Sequence, residues 1–218
     1  TGVQTCALPI YELPQTMENL KNNFFIVTGT GCRMRYVHSD PMNNAAIIRI
    51  SADGTYYEII AEKNIKPTSE LPSHLLIHNV ILGKGRKIKT VIHTHPIELV
   101  AMTHNSDFLG KDVLSKLLWS MIPETRAFCP KGVGIVPYAL PGSMELAQKT
   151  VEQLDDYDVV LWEKHGALAI GEDILEAFDM IDTLTKSAKI YESACSMGFK
   201  PKGMSDEQMD ELKRVFNL

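Results

Sequence analysis

The sequence predicts an α/β protein, a single domain whose mixed or largely antiparallel sheet is covered by helices. Three observations carry that prediction. Short β-branched or apolar runs interleave irregularly with helical periodicities, one strand pair is joined by an Asp-Gly turn, and no linker-like tract or internal repeat divides the 218 residues. A chain of this length can bury one substantial core.

Residues 24–28 form an apolar, β-rich run that enters the turn Gly29-Thr30-Gly31, whose backbone N–H groups can face an anion. Residues 45–50 and 56–60 flank Asp53-Gly54, the signal of a hairpin. Pro67-Thr68-Ser69-Glu70-Leu71-Pro72 opens a helix that runs to about Leu82, with Thr68 or Ser69 as N-cap and Pro72 tolerated in the first turn. Leu71, Leu75, His78 and Leu82 fall near one face of it. A β-branched run at 90–92 leads into His93-Thr94-His95-Pro96, where proline ends the strand. Residues 97–102 and 112–121 read as helices, and 127–128 and 132–137 as strands. Ser143 caps a helix whose inner face takes Leu146, Thr150, Val151 and Leu154. Residues 158–162 make a buried-strand run that stops near 163–166. From Asp173 to about Met197 a long amphipathic helix sets Ile174, Phe178, Ile181, Leu184, Ala188, Tyr191 and Cys195 on one core-facing stripe. Ser205 opens a last short helix.

Bulk properties exclude several classes. A formal net charge of −5 gives no electrostatic case for nucleic acid or an acidic membrane as partner. No apolar run approaches the ~18–20 residues of a membrane span. The four cysteines, Cys6, Cys32, Cys129 and Cys195, are scattered without a Cys-x-x-Cys pair, which fits a reduced, cytoplasmic setting. Residues 1–10 lack a start methionine, a basic n-region and an apolar h-region. They read as a non-native leader, resembling an in-frame translated sequencing adapter, so that native sequence is expected from about Tyr11 with its true start missing.

The chemistry concentrates on histidine and glutamate. On a strand, the i, i+2 spacing of His93 and His95 puts both imidazoles on one face, with Cα atoms roughly 6.5–7 Å apart, close enough to share a metal. Two half-buried histidines on an edge strand satisfy the same pattern. His165 follows the 158–162 run and precedes Gly166, which allows close backbone approach; it is either a third ligand or a packing residue. Three imidazoles with an open fourth position make a catalytic zinc pattern. Glu70, beside two hydroxyls at a helix N-terminus, is either a dipole-complementing carboxylate or a general acid/base whose neighbours Thr68 and Ser69 receive a phosphate. His74 and His78 lack the glutamate of a His-Glu-x-x-His motif and read as helix residues. His38 and His104 have no partners in sequence, and Glu124 reads as a solvated carboxylate in a loop.

Taken in order, Gly29-Thr30-Gly31, the 67–72 segment, Val91-Ile92-His93-Thr94-His95 and Leu161-Trp162 with His165-Gly166 resemble the class II, zinc-dependent sugar-phosphate aldolases. The likeness extends from Tyr11 onward, is strengthened by residues 132–137 and Pro141-Gly142, and is greatest to members acting on L-rhamnulose 1-phosphate. It implies a three-layer α/β/α sandwich and one Zn2+ per subunit held by His93, His95 and His165. It further implies Glu70 as acid/base, Glu124 as a second carboxylate from a neighbouring subunit, and a phosphate cradle of Thr30, Gly31, Thr68 and Ser69. A homotetramer with sites at subunit interfaces follows from the same likeness. An asparagine-bearing glycine turn that the family carries upstream is absent from this sequence. The implied reaction is reversible retro-aldol cleavage of L-rhamnulose 1-phosphate to dihydroxyacetone phosphate and L-lactaldehyde, a step that needs a Lewis acid for the enediolate charge and a carboxylate to move protons. An L-fuculose-phosphate aldolase or a pentulose-phosphate 4-epimerase shares the ligand pattern. An adducin-head-like interaction module is the non-enzymatic rival, and it is expected to lack those ligands.

Overall fold

The computed structural model describes residues 9–60, 63 and 65–217. The expected leader, with Cys6, therefore lies almost wholly outside the described residues. The chain divides into two units, one running to Arg86 and including residues 140–148, the other comprising 87–139 and 149–218. Each is built on its own four-stranded sheet. The class is α/β with mixed, mainly antiparallel strands, as the sequence predicts.

In the first unit, β1 (Ile10–Glu12), β2 (Phe24–Thr28), β3 (Ala45–Ile50) and β4 (Tyr56–Ile59) are ordered β1-β4-β3-β2, and every pair is antiparallel. Two short helical turns, α1 (Met34–Val37) and α2 (Pro41–Asn44), connect β2 to β3. Along β3 the residues alternate: Ala46, Ile48 and Ile50 are buried while Ile47 and Arg49 face outward. The β3–β4 hairpin forms at Asp53-Gly54 as expected. The Asp53 carboxylate accepts from the Ser51 and Thr55 hydroxyls and from the Thr55 amide, which holds its pKa down to about 2. Gly54 supplies the left-handed φ of 78°.

Helix α3 (Leu71–Gly83) follows, with Pro72 in its first turn. Its N-cap is Glu70, not Thr68 or Ser69. Thr68 acts one step earlier: its hydroxyl accepts the Glu70 amide and its carbonyl the Leu71 amide. The helix buries Leu71, Leu75, Leu76, Ile77 and Ile81, so it is apolar on more than one side and no single stripe describes it; Leu82 is exposed.

The second unit contains β5 (Thr90–Thr94), α4 (Ile97–Met102), α5 (Val113–Met121), α6 (Pro123–Phe128), β6 (Gly134–Val136), the end of α7 (Met144–Gln153), β7 (Val159–Trp162), β8 (Gly166–Gly171), α8 (Ile174–Ser196) and α9 (Asp206–Phe216). Strand order is β5-β8-β7-β6, antiparallel except for the β6–β7 pair. Its core joins Ile92, Leu99, Leu114, Leu118, Leu161, Ala167, Ile181 and Leu184. The caps at Ser143, Asp173 and Ser205 are formed, the last as a full capping box with Gln208.

Three expectations are corrected here. Residues 127–128 are not a strand but the end of α6, so Glu124 lies in a helix's first turn and not in a loop. Pro123 suits that helix start, and buried Thr125 anchors α6 to α8 through Ser187, 2.5 Å away. Strand β8 went unpredicted. It pairs on both edges and all its residues are buried, so it has no polar face and the usual apolar–polar alternation is missing. At Gly171 a Cβ would lie 2.8 Å from the Ala177 amide of α8. Lastly, α8 buries Ala177, Met180, Ile181, Leu184, Ser187, Ala188 and Ala194, whereas Ile174, Phe178 and Cys195 are exposed. The buried face mixes small residues with Met180, Ile181 and Leu184, and α8 packs on β8. Among the described residues no helix is long and apolar enough to cross a membrane.

Candidate metal centre

The second unit brings His93, His95 and His165 together. Their candidate ligand nitrogens all lie within 4.8 Å of one another. His93 is the fourth residue of β5, and His95 falls just past the strand's end, where Pro96 stops the ladder. His165 sits in the turn between β7 and β8. The missed strand is what delivers it: β8 lies between β5 and β7, and the register Thr94↔Ala167 with Trp162↔Gly166 sets the β7–β8 turn beside the end of β5.

Close packing of backbone and rings makes this possible. At Gly166 a Cβ would meet the Thr94 carbonyl oxygen at 2.6 Å, His93 Cε1 at 2.7 Å and His95 Cδ2 at 2.9 Å. The close approach expected of this glycine is therefore present. Trp162, fully buried, is the floor: its ring centroid lies 4.3 Å from that of His93 and 5.0 Å from that of His165. The indole Nε1–H donates to buried Thr150 Oγ1 at 2.8 Å, which fixes the plane of the ring. Sequence reasoning placed Trp162 in a buried strand but gave no sign of its use as a platform.

Tautomer and charge follow from the surroundings. His93 Nδ1 lies 3.0 Å from the Ala167 carbonyl oxygen. A carbonyl can only accept, so Nδ1 carries the proton and Nε2 presents the lone pair, the arrangement typical of a ligating histidine. Burial, and then the neighbouring His95 ring, push the His165 pKa below its ordinary value and so favour its neutral form. His165 Nδ1 is buried without a hydrogen-bond partner among the described residues. Three imidazole donors, one with an orphaned buried nitrogen, fit a divalent cation of borderline softness.

The remaining predicted residues fall in two places. Glu124 is exposed in the first turn of α6 and is not part of the imidazole group. Thr30, Gly31, Thr68, Ser69 and Glu70 all belong to the first unit, where the bridge Gly29↔Pro67 joins their two loops. There the Thr30 amide donates to Lys66 O and the Thr68 amide to Thr28 O, so an anion at this seam would draw on the hydroxyls and on the amides of Gly31 and Ser69. Gly31 has φ +70°. Glu70 is buried, and its Oε2 accepts the Gly142 amide at 3.0 Å. Gly142 itself has φ +75°, and a Cβ there would lie 2.9 Å from the Ser69 carbonyl oxygen. The Pro141-Gly142 turn thus has a physical task, to hold the Glu70 carboxylate.

The sequence pattern of the Class II Aldolase and Adducin N-terminal domain family matches residues 15–191, and the chain belongs to that family. Its similarity to individual members is more specific. Over 203 residues it is 56% identical to the rhamnulose-1-phosphate aldolase of Bacteroides thetaiotaomicron, a match spanning 93% of this chain and 76% of that protein. The Klebsiella pneumoniae rhamnulose-1-phosphate aldolase is 35% identical over 209 residues, 94% of this chain and 75% of its own length. Among solved structures, the sugar-phosphate aldolase from Thermotoga maritima superposes with a TM-score of 0.76 at 35% identity, covering 89% of this chain and 81% of that one. An L-fuculose 1-phosphate aldolase shares the fold with a TM-score of 0.60 at 21% identity, over 96% and 85% of the two chains.

Proposed function

We propose that this chain is a zinc-dependent aldolase that reversibly cleaves L-rhamnulose 1-phosphate to dihydroxyacetone phosphate and L-lactaldehyde. The observation that carries the proposal is the convergence of His93, His95 and His165 into one donor set. The 56% identity to a rhamnulose-1-phosphate aldolase supports this choice of substrate. An adducin-like interaction module has no use for three converging imidazoles with a tautomer set for ligation.

Cleavage breaks the C3–C4 bond. The C4 hydroxyl loses its proton and becomes the aldehyde carbonyl, while the bonding pair moves to C3 and spreads into the C2 carbonyl as an enediolate. A proton then added at C3 gives dihydroxyacetone phosphate. Held by the three imidazoles, a divalent cation supplies Lewis acidity for the charge that develops on the enediolate oxygens. Glu70, fixed by the Gly142 amide, exchanges the proton at C3. Glu124 is assigned to assist with the hydroxyl proton from a neighbouring subunit, and Thr30, Gly31, Thr68 and Ser69 to hold the phosphate. A cytoplasmic homotetramer with one zinc per subunit completes the proposal.

The test is direct. Purified protein is expected to contain zinc and to release dihydroxyacetone phosphate from L-rhamnulose 1-phosphate faster than from L-fuculose 1-phosphate, and chelation should abolish the release. His93→Ala should lose the metal. Glu70→Gln should retain zinc while turnover falls by about 10²–10⁴-fold; an unchanged rate removes Glu70 from the mechanism, and preference for the fuculose ester moves the substrate assignment.

A further inference from the structure

We infer that Thr103 is a positioning residue for the metal centre, its hydroxyl tying the helix that follows His95 to the turn that carries His165. The inference rests on the reading that the three imidazoles hold a divalent cation.

Thr103 closes the C-terminal end of α4 and is only 1% exposed. A hydroxyl has one proton, and here its use is unambiguous. Thr103 Oγ1 donates to the Val100 carbonyl oxygen at 2.7 Å and accepts the Lys164 amide at 2.8 Å. Lys164 has φ +60°, a left-handed conformation to which lysine brings no advantage. Such a residue persists where its surroundings hold it.

The rest of the turn is pinned elsewhere. Glu163 donates its amide to the Val136 carbonyl at 2.9 Å and accepts the Tyr138 amide at 3.1 Å, and His165 closes the turn onto the Trp162 carbonyl at 3.0 Å. Two anchors lead back to the segment bearing His93 and His95. On one flank of His165, Ala167 pairs with Thr94 in the β5–β8 ladder. On the other, Lys164 is bonded to Thr103. The third imidazole is therefore suspended between two points of the same β5–α4 segment that supplies the other two. Removing the hydroxyl releases one of them and lets the turn leave its left-handed form. An outer anchor of this kind changes metal affinity by about 10–100-fold.

Thr103→Val keeps the side chain's shape and deletes the hydroxyl; Thr103→Ser keeps the hydroxyl. Zinc affinity is measured by chelator competition on apo-protein whose folding is checked by circular dichroism, and the visible bands of the Co2+-loaded protein report coordination geometry. The valine variant is expected to bind zinc about 10–100-fold more weakly with altered cobalt bands, and serine to recover most of both. Wild-type affinity and spectrum in the valine variant would overturn the inference, as would a serine variant as weak as valine. Should valine not fold, Thr103→Ala takes its place and is compared with Thr103→Ser at low temperature, by the same readouts and with the same outcomes expected. A wild-type protein that takes up neither zinc nor cobalt overturns the underlying metal reading, and this inference with it.

Discussion

A single methyl group at Gly166 would collide with three parts of the candidate centre at once, at 2.6–2.9 Å. The Thr94 carbonyl belongs to the sheet, so relieving that contact disturbs the β5–β8 pairing, and the rings of His93 and His95 are displaced as well. Gly166→Ala is expected to weaken zinc binding at least ~10-fold and to cost about 1–3 kcal/mol of stability, read by chelator competition and urea unfolding. Gly142 offers the opposite case. Its amide holds Glu70, and a Cβ there meets Ser69. Gly142→Ala should lower turnover while leaving zinc stoichiometry intact, because all three imidazoles come from the other unit. A drop in bound zinc would show that Gly142 does more than orient a carboxylate. Of the two glycines, only Gly166 announced its task in the sequence, by standing next to a candidate ligand. Gly142 was legible as part of a family pattern, and its contact with Glu70 spans a separation no local spacing reveals.

At the scale of an element, α3 couples stability to pH. His74 and His78 lie one turn apart on this helix, and the His78 ring rests 5.0 Å from that of Phe25. Burial pushes both imidazoles down to about 4, with the charge of His78 adding to the effect at His74. Their ordinary pKa is 6.5. Between those values the unfolded chain binds protons that the native helix refuses, so stability rises with pH across this window. The contribution is complete above about 6.5 and is lost as pH falls toward about 4. Urea midpoints measured from pH 7.5 down to pH 4.5 should therefore fall more steeply for the wild type than for a His74→Asn/His78→Asn variant; equal slopes would mean that neither imidazole is kept neutral. The same helix shows why some elements read poorly. It buries residues on several sides, so no single 3.6-residue stripe describes it, and Leu82 is exposed although it shares a face with Leu71 and Leu75. In β8 the reason differs: a short strand buried on both faces carries no polar residue, which leaves no apolar–polar alternation to detect.

For the whole molecule, local signals sufficed for most elements and for the His-x-His pair, since caps, turns and strand periodicity act over a few residues. The meeting of His165 with that pair depended on a strand order in which the last strand inserts between two earlier ones, and nothing local encodes such a pairing. The amphipathic stripe of α8 was misread for a related reason. Ile174, Leu175 and Phe178 are 61%, 67% and 53% exposed, large apolar side chains clustered in the helix's first turns. Apolar faces of that sort mark association surfaces, and the proposed homotetramer gives them an occupant. Sedimentation should find a particle of four times the 24.4 kDa chain mass. Leu175→Glu/Phe178→Glu should shift it to smaller species. Zinc affinity should survive that shift, because the three imidazoles belong to one unit of one chain. Turnover should not survive it if Glu124 serves a neighbouring subunit's site. A variant that stays tetrameric would place the subunit contacts on another face, and one that dissociates with full activity would remove Glu124 from the reaction.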